Sequence, residues 1–400
     1  MEGNSLVATT LEIARIWKEY RLEERTRFNT RVTKVKRVQR KEAGKAHAPS
    51  LWYINDDQDG PFDAIITAVG TCGEPKWLTG SPLGTARQHP DTYRGPVLHS
   101  SQLDHATPEL VQDKTVVVIG SGASAIEAVE TAFCRGARLC ILLARKDKWI
   151  IPRNVIIDTL IAAQPFGRDM PLRCVTDFLW ERFLQCWHYY GVPALVPTVP
   201  LFGGTPIVND KFLDDVRSGK CVYVRGDTMR LTQNGVLVNT QPHNAPHLEE
   251  IKADLIVLAT GYKRPDIDFL PCELFPEGYE ASDALLVPNL YLQNFSTEDW
   301  SVLMTNSAYE NAIASAGHFH IGIYTRTLIT FILDPVTAPT AKDMKLWVDA
   351  IRYLKRGASG GALGFFMYME LIIWLLLFYI IRPDRLRWMP FILAGWGLRP

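Results

Sequence analysis

Residues 115–153 constrain this chain more than any other stretch: TVVVIGSGASAIEAVETAFCRGARLCILLARKDKWIIPR. Residues 115–119 form a β-branched run of the kind that is buried on both faces of a sheet. The turn Gly120-Ser121-Gly122-Ala123-Ser124-Ala125 follows at once, and apolar residues then recur at helical spacing through Ile126, Val129 and Phe133. Gly136 ends that helix, and residues 139–144 read as a second buried strand. Strand, Gly-x-Gly-x-x-Ala and helix within one β–α–β unit form a dinucleotide-binding fingerprint. Gly120 permits the tight turn. Gly122 lets backbone approach a pyrophosphate, and Ala125 lets helix and strand pack closely. The unpaired N–H groups and partial positive charge of the helix N-terminus face the phosphates.

The second strand ends at Arg145-Lys146, where an NAD site usually has an acidic residue for the ribose 2′-hydroxyl. A cationic pair there favours a 2′-phosphate, hence NADPH. The alternative is a solvated strand end.

A chain of 400 residues suits two or three domains with sizeable cores. Its 43 basic and 43 acidic residues balance, which gives no reason to expect a nucleic acid partner. Seven cysteines are scattered without a C-x-x-C pair, so no metal site is expected and free thiols in a reducing compartment are. The amphipathic, acid-containing N-terminus does not read as a signal peptide.

Taken in order, residues 11–20 predict a helix, and residues 30–38 and 51–54 predict strands. Residues 62–70 read as a buried strand ending in a Gly turn. Residues 93–103 pass as loop on composition. In residues 177–190, Trp180, Phe183, Trp187 and Tyr190 recur at helical spacing, so core packing is expected, with a substrate wall as the alternative. Residues 212–216 look helical, and three short strands are expected between residues 221 and 259. The last of these, 253–259, ends in a turn like that of residues 62–70. Two such turns flanking a nucleotide unit suggest an inserted domain, with the chain leaving and re-entering its host at these points. His318 and His320 would share one face of a strand, without a further metal ligand. Gly357-Ala358-Ser359-Gly360-Gly361 fits a hydrolase string but reads as linker.

Residues 362–381, ALGFFMYMELIIWLLLFYII, carry a single charge at Glu370. That length matches the roughly 20 residues needed to cross a hydrocarbon core of about 30 Å. A membrane anchor is therefore expected here. The alternative is a helix packed on the protein's own surface or lying in the membrane plane.

Four motifs together resemble the class B flavoprotein monooxygenases, the group holding flavin-containing and Baeyer–Villiger monooxygenases. They are Tyr93-x-Gly95-x-x-x-His99-Ser100, Gly120-x-Gly122-x-Ser124-Ala125, Arg145 with Trp149-x-x-Pro152-Arg153, and Ala259-Thr260-Gly261-Tyr262. The resemblance covers residues 1–330. It departs at the start, where only Gly3, Gly44 and Gly60 precede residue 61, so the family's first G-x-G-x-x-G turn for FAD has no counterpart. The chain accordingly reads as starting late in that domain.

The resemblance implies an α/β fold with two dinucleotide-binding, Rossmann-like domains: an NADPH domain inserted in a partial FAD domain, with a C-terminal apolar helix. The expected division is 1–111 partial FAD domain, 112–252 NADPH domain with a helical insertion, 253–345 return to the FAD domain, and 346–400 apolar C-terminal segment. It implies FAD and NADPH as cofactors, and O₂ and a small organic substrate as partners. One oxygen atom would enter a nitrogen, a sulfur or a ketone through a C4a-hydroperoxyflavin. Gly120, Ser121, Gly122, Ala123, Ser124 and Ala125 would hold the pyrophosphate. Arg145 and Lys146 would take the 2′-phosphate. By resemblance, His99 and Ser100 sit at the link between domains, and Thr260, Gly261 and Tyr262 sit where the two nucleotides meet. Taken alone, His99 reads as a structural histidine. No catalytic side chain is assigned, because the cofactors perform the chemistry. Two other outcomes stay open: an NADPH-binding homologue without flavin or turnover, and a membrane-tethered interaction module. The expected location is the cytoplasm, or the cytoplasmic face of an internal membrane.

Overall fold

The computed structural model describes residues 3–39, 50–55, 59–70, 72–77, 93–154, 156–157, 173–201, 206–241, 246–263, 265–275, 290–305, 318–354 and 368–397. Helix α1 spans Gly3–Glu19, and strands β1 (Val35–Val38) and β2 (Leu51–Ile54) pair as an antiparallel hairpin. Then come β3 (Ile65–Thr67), β4 (Val97–His99), α2 (Pro108–Val111), β5 (Thr115–Ile119), α3 (Ala123–Cys134) and β6 (Leu139–Ala144). The next elements are β7 (Ile150–Ile151), α4 (Arg173–Trp187), β8 (Ile207–Val208), α5 (Phe212–Arg217) and β9 (Cys221–Arg225). After them stand β10 (Asp227–Leu231), β11 (Gly235–Asn239), β12 (Leu248–Lys252) and β13 (Leu255–Leu258). Strands β14 (Leu290–Tyr291), β15 (Phe295–Ser296) and β16 (Val302–Met304) precede helices α6 (His318–Leu333), α7 (Ala341–Leu354), α8 (Tyr368–Ile380) and α9 (Met389–Ala394).

Five parallel strands form the central sheet in the order β4-β13-β5-β6-β9. Strand alternation sorts its side chains. Val116, Val118, Cys140, Leu142, Leu255 and Val257 pack on one face with Ala125, Ile126 and Val129 of α3. Val117, Ile119, Leu143, Ile256 and Leu258 pack on the other with Val236, Val238 and Ile251 of the antiparallel meander β10-β11-β12. The middle residues of β5 are fully buried, as a β-branched strand covered on both faces should be.

A second sheet, β14-β15-β16-β3, shares a separate core with Trp52 of the hairpin, Tyr324 and Phe331 of α6, and Leu371, Trp374 and Phe378 of α8. Arg37 and Asp299 form a buried ion pair at 2.7 Å that ties the hairpin to the turn before β16.

Several expectations change. Residues 93–103 are not plain loop: β4 is a strand of the central sheet, followed by a 3₁₀ turn over Ser100–His105. Among the described residues between 221 and 259 there are five strands rather than three. The last of them, β13, lies inside the central sheet between β4 and β5 rather than beyond it. In and after α4, Trp180, Leu184 and Tyr189 pack on the central core while Phe183, Trp187 and Tyr190 are exposed, so only part of the aromatic stripe faces inward. His318 and His320 begin a helix, not a strand, and two residues apart on a helix they do not share a face. The string 357–361 lies outside the described residues, as do residues 362–367 of the expected anchor.

The described residues do not bear out the spanning reading of residues 362–381. The described helix of that run is α8, Tyr368–Ile380. No helix among the described residues is long and apolar enough to cross a membrane. One face of α8 is committed to the protein's own core through Leu371, Trp374 and Phe378. Glu370 is buried there and accepts hydrogen bonds from the Gln293 amide and, at 3.3 Å, from Trp347 Nε1. The single charge of the apolar run is therefore a satisfied core carboxylate.

Candidate functional site

The ladder registers place the sequence motifs on one edge. His99 pairs with Leu258, Leu258 with Ile119, Ile119 with Leu143 and Leu143 with Val224. One step further along the strands come Ser100, Ala259, Gly120, Ala144 and Arg225. All lie at the C-terminal ends of parallel strands, where open α/β sheets bind ligands. The chain runs from β5 through α3 to β6 on one side, while β13 and β4 lie on the other, so Gly120 stands at the switch point.

Gly120 cannot be replaced there without strain. Its φ is +140°, and a Cβ would lie 2.4 Å from the Ala259 carbonyl oxygen. Its N–H donates to the Leu143 carbonyl at 3.0 Å. The end of β5 is thus gripped between β13 and β6. Gly122 precedes α3, and a Cβ on it would meet nothing within 4 Å. No side chain caps α3, and its first turn holds no acid. Ala125 is fully buried in the helix–sheet contact. Ser121, Ala123 and Ser124 complete an open, uncapped helix N-terminus, the surroundings a pyrophosphate requires.

Arg145 and Lys146 follow β6 immediately and are exposed, and among the described residues neither has a carboxylate partner. Lys148, half-buried, lies two residues on. Burial, and then the charge of Lys146, push its ammonium below the ordinary lysine range.

His99 closes the other end of the row. It is fully buried. Its Nδ1 accepts from the Ser101 amide at 3.3 Å and lies 2.9 Å from the Ser101 hydroxyl. Its Nε2 lies 3.1 Å from the Gly261 carbonyl. An amide only donates and a carbonyl only accepts, so these partners assign the proton to Nε2 and leave the ring neutral. Burial lowers the imidazole pKa, and the bond to Gly261 opposes that shift. Tyr262 meets the ring edge-on at 5.1 Å. The Ser100 hydroxyl is buried without a partner among the described residues.

The Gly261 carbonyl also accepts the Lys76 amide at 2.9 Å, and the Lys263 amide donates to the Glu74 carbonyl at 2.7 Å. Thr260 donates its hydroxyl to the Lys76 carbonyl. The segment after β3 and the segment after β13 therefore run antiparallel, bridged at Pro75 and Tyr262, and His99 is locked to their crossing. Lys76 and Arg225 carry no local motif that marks them for this edge. Only their partners across the fold reveal them.

A family model described as Flavin-binding monooxygenase-like matches residues 9–273. Flavin-containing monooxygenase 1 of Oryctolagus cuniculus is 28% identical over 210 residues, covering 50% of this chain and 36% of that protein. A Baeyer-Villiger monooxygenase of Pseudomonas aeruginosa is 31% identical over 143 residues, covering 35% of this chain and 24% of that protein. The chain thus spans less than half the length of these relatives. Among solved structures, the fold is similar to OTEMO in complex with FAD and NADP (TM-score 0.60, 14% identity, 92% of this chain and 83% of that one). It is also similar to an oxidized steroid monooxygenase bound to NADP (TM-score 0.57, 14% identity, 94% of this chain and 81% of that one). With the Gly120 turn, the His99 motif and the Thr260–Tyr262 crossing on one sheet edge, and a family model matched from residue 9 to residue 273, the chain belongs to the flavin-binding monooxygenase-like family.

Proposed function

We propose that this chain works as an FAD- and NADPH-dependent monooxygenase acting on a small organic nitrogen, sulfur or ketone centre. Its own residues bind and orient NADPH. The observation that carries the reading is the Gly120–Ala125 turn, open at Gly122 and gripped by β13 and β6 at the switch point of a parallel sheet. The residues fit the nucleotide. An uncapped helix N-terminus receives the pyrophosphate, and Arg145 and Lys146 receive the 2′-phosphate. For flavin the described residues offer the sheet β14-β15-β16-β3 as a frame, while residues 1–60 hold no Gly-rich turn. When bound, the cofactors supply the reducing equivalents and the oxygen activation. His99, Lys76 and Gly261 hold the two crossing segments in register beside the nucleotide edge.

The test is calorimetry with NADPH. Arg145→Glu should weaken binding by about 1–3 kcal/mol, the scale of a lost charge-assisted hydrogen bond. Equal affinity in variant and parent removes Arg145 from the site, and a parent that binds no NADPH removes the reading itself.

A second reading concerns the membrane and rests on one observation. The outer face of α8 and the residue after it leave Ile372, Leu376, Ile380 and Ile381 exposed, beside Arg382 and Arg385. Such a stripe suits attachment along a bilayer surface rather than across it. The chain should float with anionic liposomes, and Leu376→Glu with Ile380→Glu should release it. A parent that stays with the unbound fraction ends this reading.

A further inference from the structure

The segment after β6 reads Arg145-Lys146-Asp147-Lys148, so a carboxylate stands among the cations assigned to the 2′-phosphate. A free carboxylate at this strand end would accept the hydrogens of the ribose hydroxyls and repel a phosphate. That is the chemistry by which dinucleotide sites select NAD. Asp147 is not free. Its side chain is only 11% exposed, and Arg225 Nε donates to its Oδ1 at 2.8 Å. The Tyr223 hydroxyl lies 3.4 Å from the same oxygen. Arg225 is itself held: Nη2 donates to the Val196 carbonyl at 3.1 Å.

The register explains why Arg225 reaches this acid. Arg225 ends β9 opposite Ala144, the last residue of β6, and the Gly226 amide donates to the Ala144 carbonyl at 3.0 Å. The guanidinium therefore emerges beside the first residues past β6. Arg145 and Lys146, between Ala144 and Asp147 in the chain, remain exposed and have no carboxylate partner among the described residues.

We propose that the Arg225–Asp147 pair sets the coenzyme choice of this site: Arg225 sequesters the one carboxylate at the strand end that would favour a ribose 2′-hydroxyl, leaving Arg145 and Lys146 to face a 2′-phosphate. The inference rests on the NADPH reading above. Arg225 acts through Asp147 and is a positioning residue. Without the guanidinium, the carboxylate is left uncompensated in a poorly solvated place and turns toward solvent and the nucleotide.

The experiment measures NADPH and NADH affinities by calorimetry for the full chain, Arg225→Gln, Asp147→Asn and the double variant. Arg225→Gln should lower the NADPH-to-NADH affinity ratio by roughly tenfold, the scale of a single charge-assisted hydrogen bond. Asp147→Asn should leave the ratio within roughly twofold of the parent, and adding it to Arg225→Gln should restore the parent ratio to the same margin. If Arg225→Gln does not fold, Arg225→Lys, which keeps the charge and loses the two-pronged hold, should shift the ratio the same way by a smaller factor. A parent that binds neither nucleotide overturns the NADPH reading and this inference with it. A parent that prefers NADPH, with Arg225 variants that weaken both nucleotides equally, overturns the inference alone. So does a double variant as shifted as Arg225→Gln, because the effect then does not run through Asp147.

Discussion

His99 is neutral because of what its two ring nitrogens touch, and this gives it a pH signature. Its pKa in the folded chain lies below the ordinary 6.5, chiefly through burial. The unfolded chain therefore takes up a proton first as pH falls. The stability tied to the neutral ring is present in full above pH 6.5 and is lost as pH drops from there toward the folded value. His99→Gln keeps a donor for Gly261 and removes the titration. Its melting temperature should fall less steeply than the parent's as pH drops below 6.5. His188, also lowered by burial, contributes the same slope to both proteins and cancels. Parallel melting profiles would show that the ring is not held neutral. Gly120 is constrained as tightly in backbone terms. Gly120→Ala meets the Ala259 carbonyl at a φ of +140°, which should cost about 1–3 kcal/mol in denaturant unfolding. An unchanged midpoint would mean that the β5 turn is looser than its surroundings imply.

Among the elements, α8 and α3 make the same point from opposite sides. Helix α3 has one apolar stripe, and the sheet covers it. Helix α8 is apolar all round, so its composition cannot say which face is inside. Trp374 decides it. It stacks on Phe378 at 4.6 Å, and its indole N–H donates to the Tyr291 hydroxyl. Trp374→Ala should destabilise the chain by about 3–5 kcal/mol, as truncation of a buried aromatic does. A helix held only by lipid would lose far less, so a small change in the unfolding midpoint would argue for the membrane instead. Exposed Phe183 and Trp187 on α4 carry the complementary lesson. Helical spacing predicts a stripe, and most of it can face solvent when Trp180, Leu184 and Tyr189 fill the inside.

At the scale of the whole molecule, the chain has separate cores. The central sheet packs between α3 and the meander, and the second sheet packs against α6 and α8. The two meet where residues 73–76 cross residues 261–263. All the residues assigned to NADPH lie on the central sheet, so NADPH binding should not require flavin. Calorimetry on flavin-free chain should return the same NADPH affinity as on chain preincubated with FAD. Binding that develops only after flavin is added would mean that the nucleotide edge is organised by the second sheet.

What the sequence determined alone was whatever is contiguous. The β5 strand, the Gly120 turn, α3 and β6 follow one another without interruption, and each has its own composition and spacing. Only the tertiary structure recruited β4. Its residues, Val97–His99, have no strand signature until β13 supplies hydrogen bonds beside them. The same holds for the site. Arg145 and Lys146 could be read from their place after β6. The Asp147–Arg225 pair spans 78 positions, and the grip of Ala259 on Gly120 depends on a strand that enters from the far end of the unit. The apolar run ending at residue 381 matched a membrane span by length, but length does not reveal a buried partner. Burial of Glu370 against Gln293 and Trp347 placed one face of that helix inside the protein, because a carboxylate with two donors in a core costs far less than one in hydrocarbon.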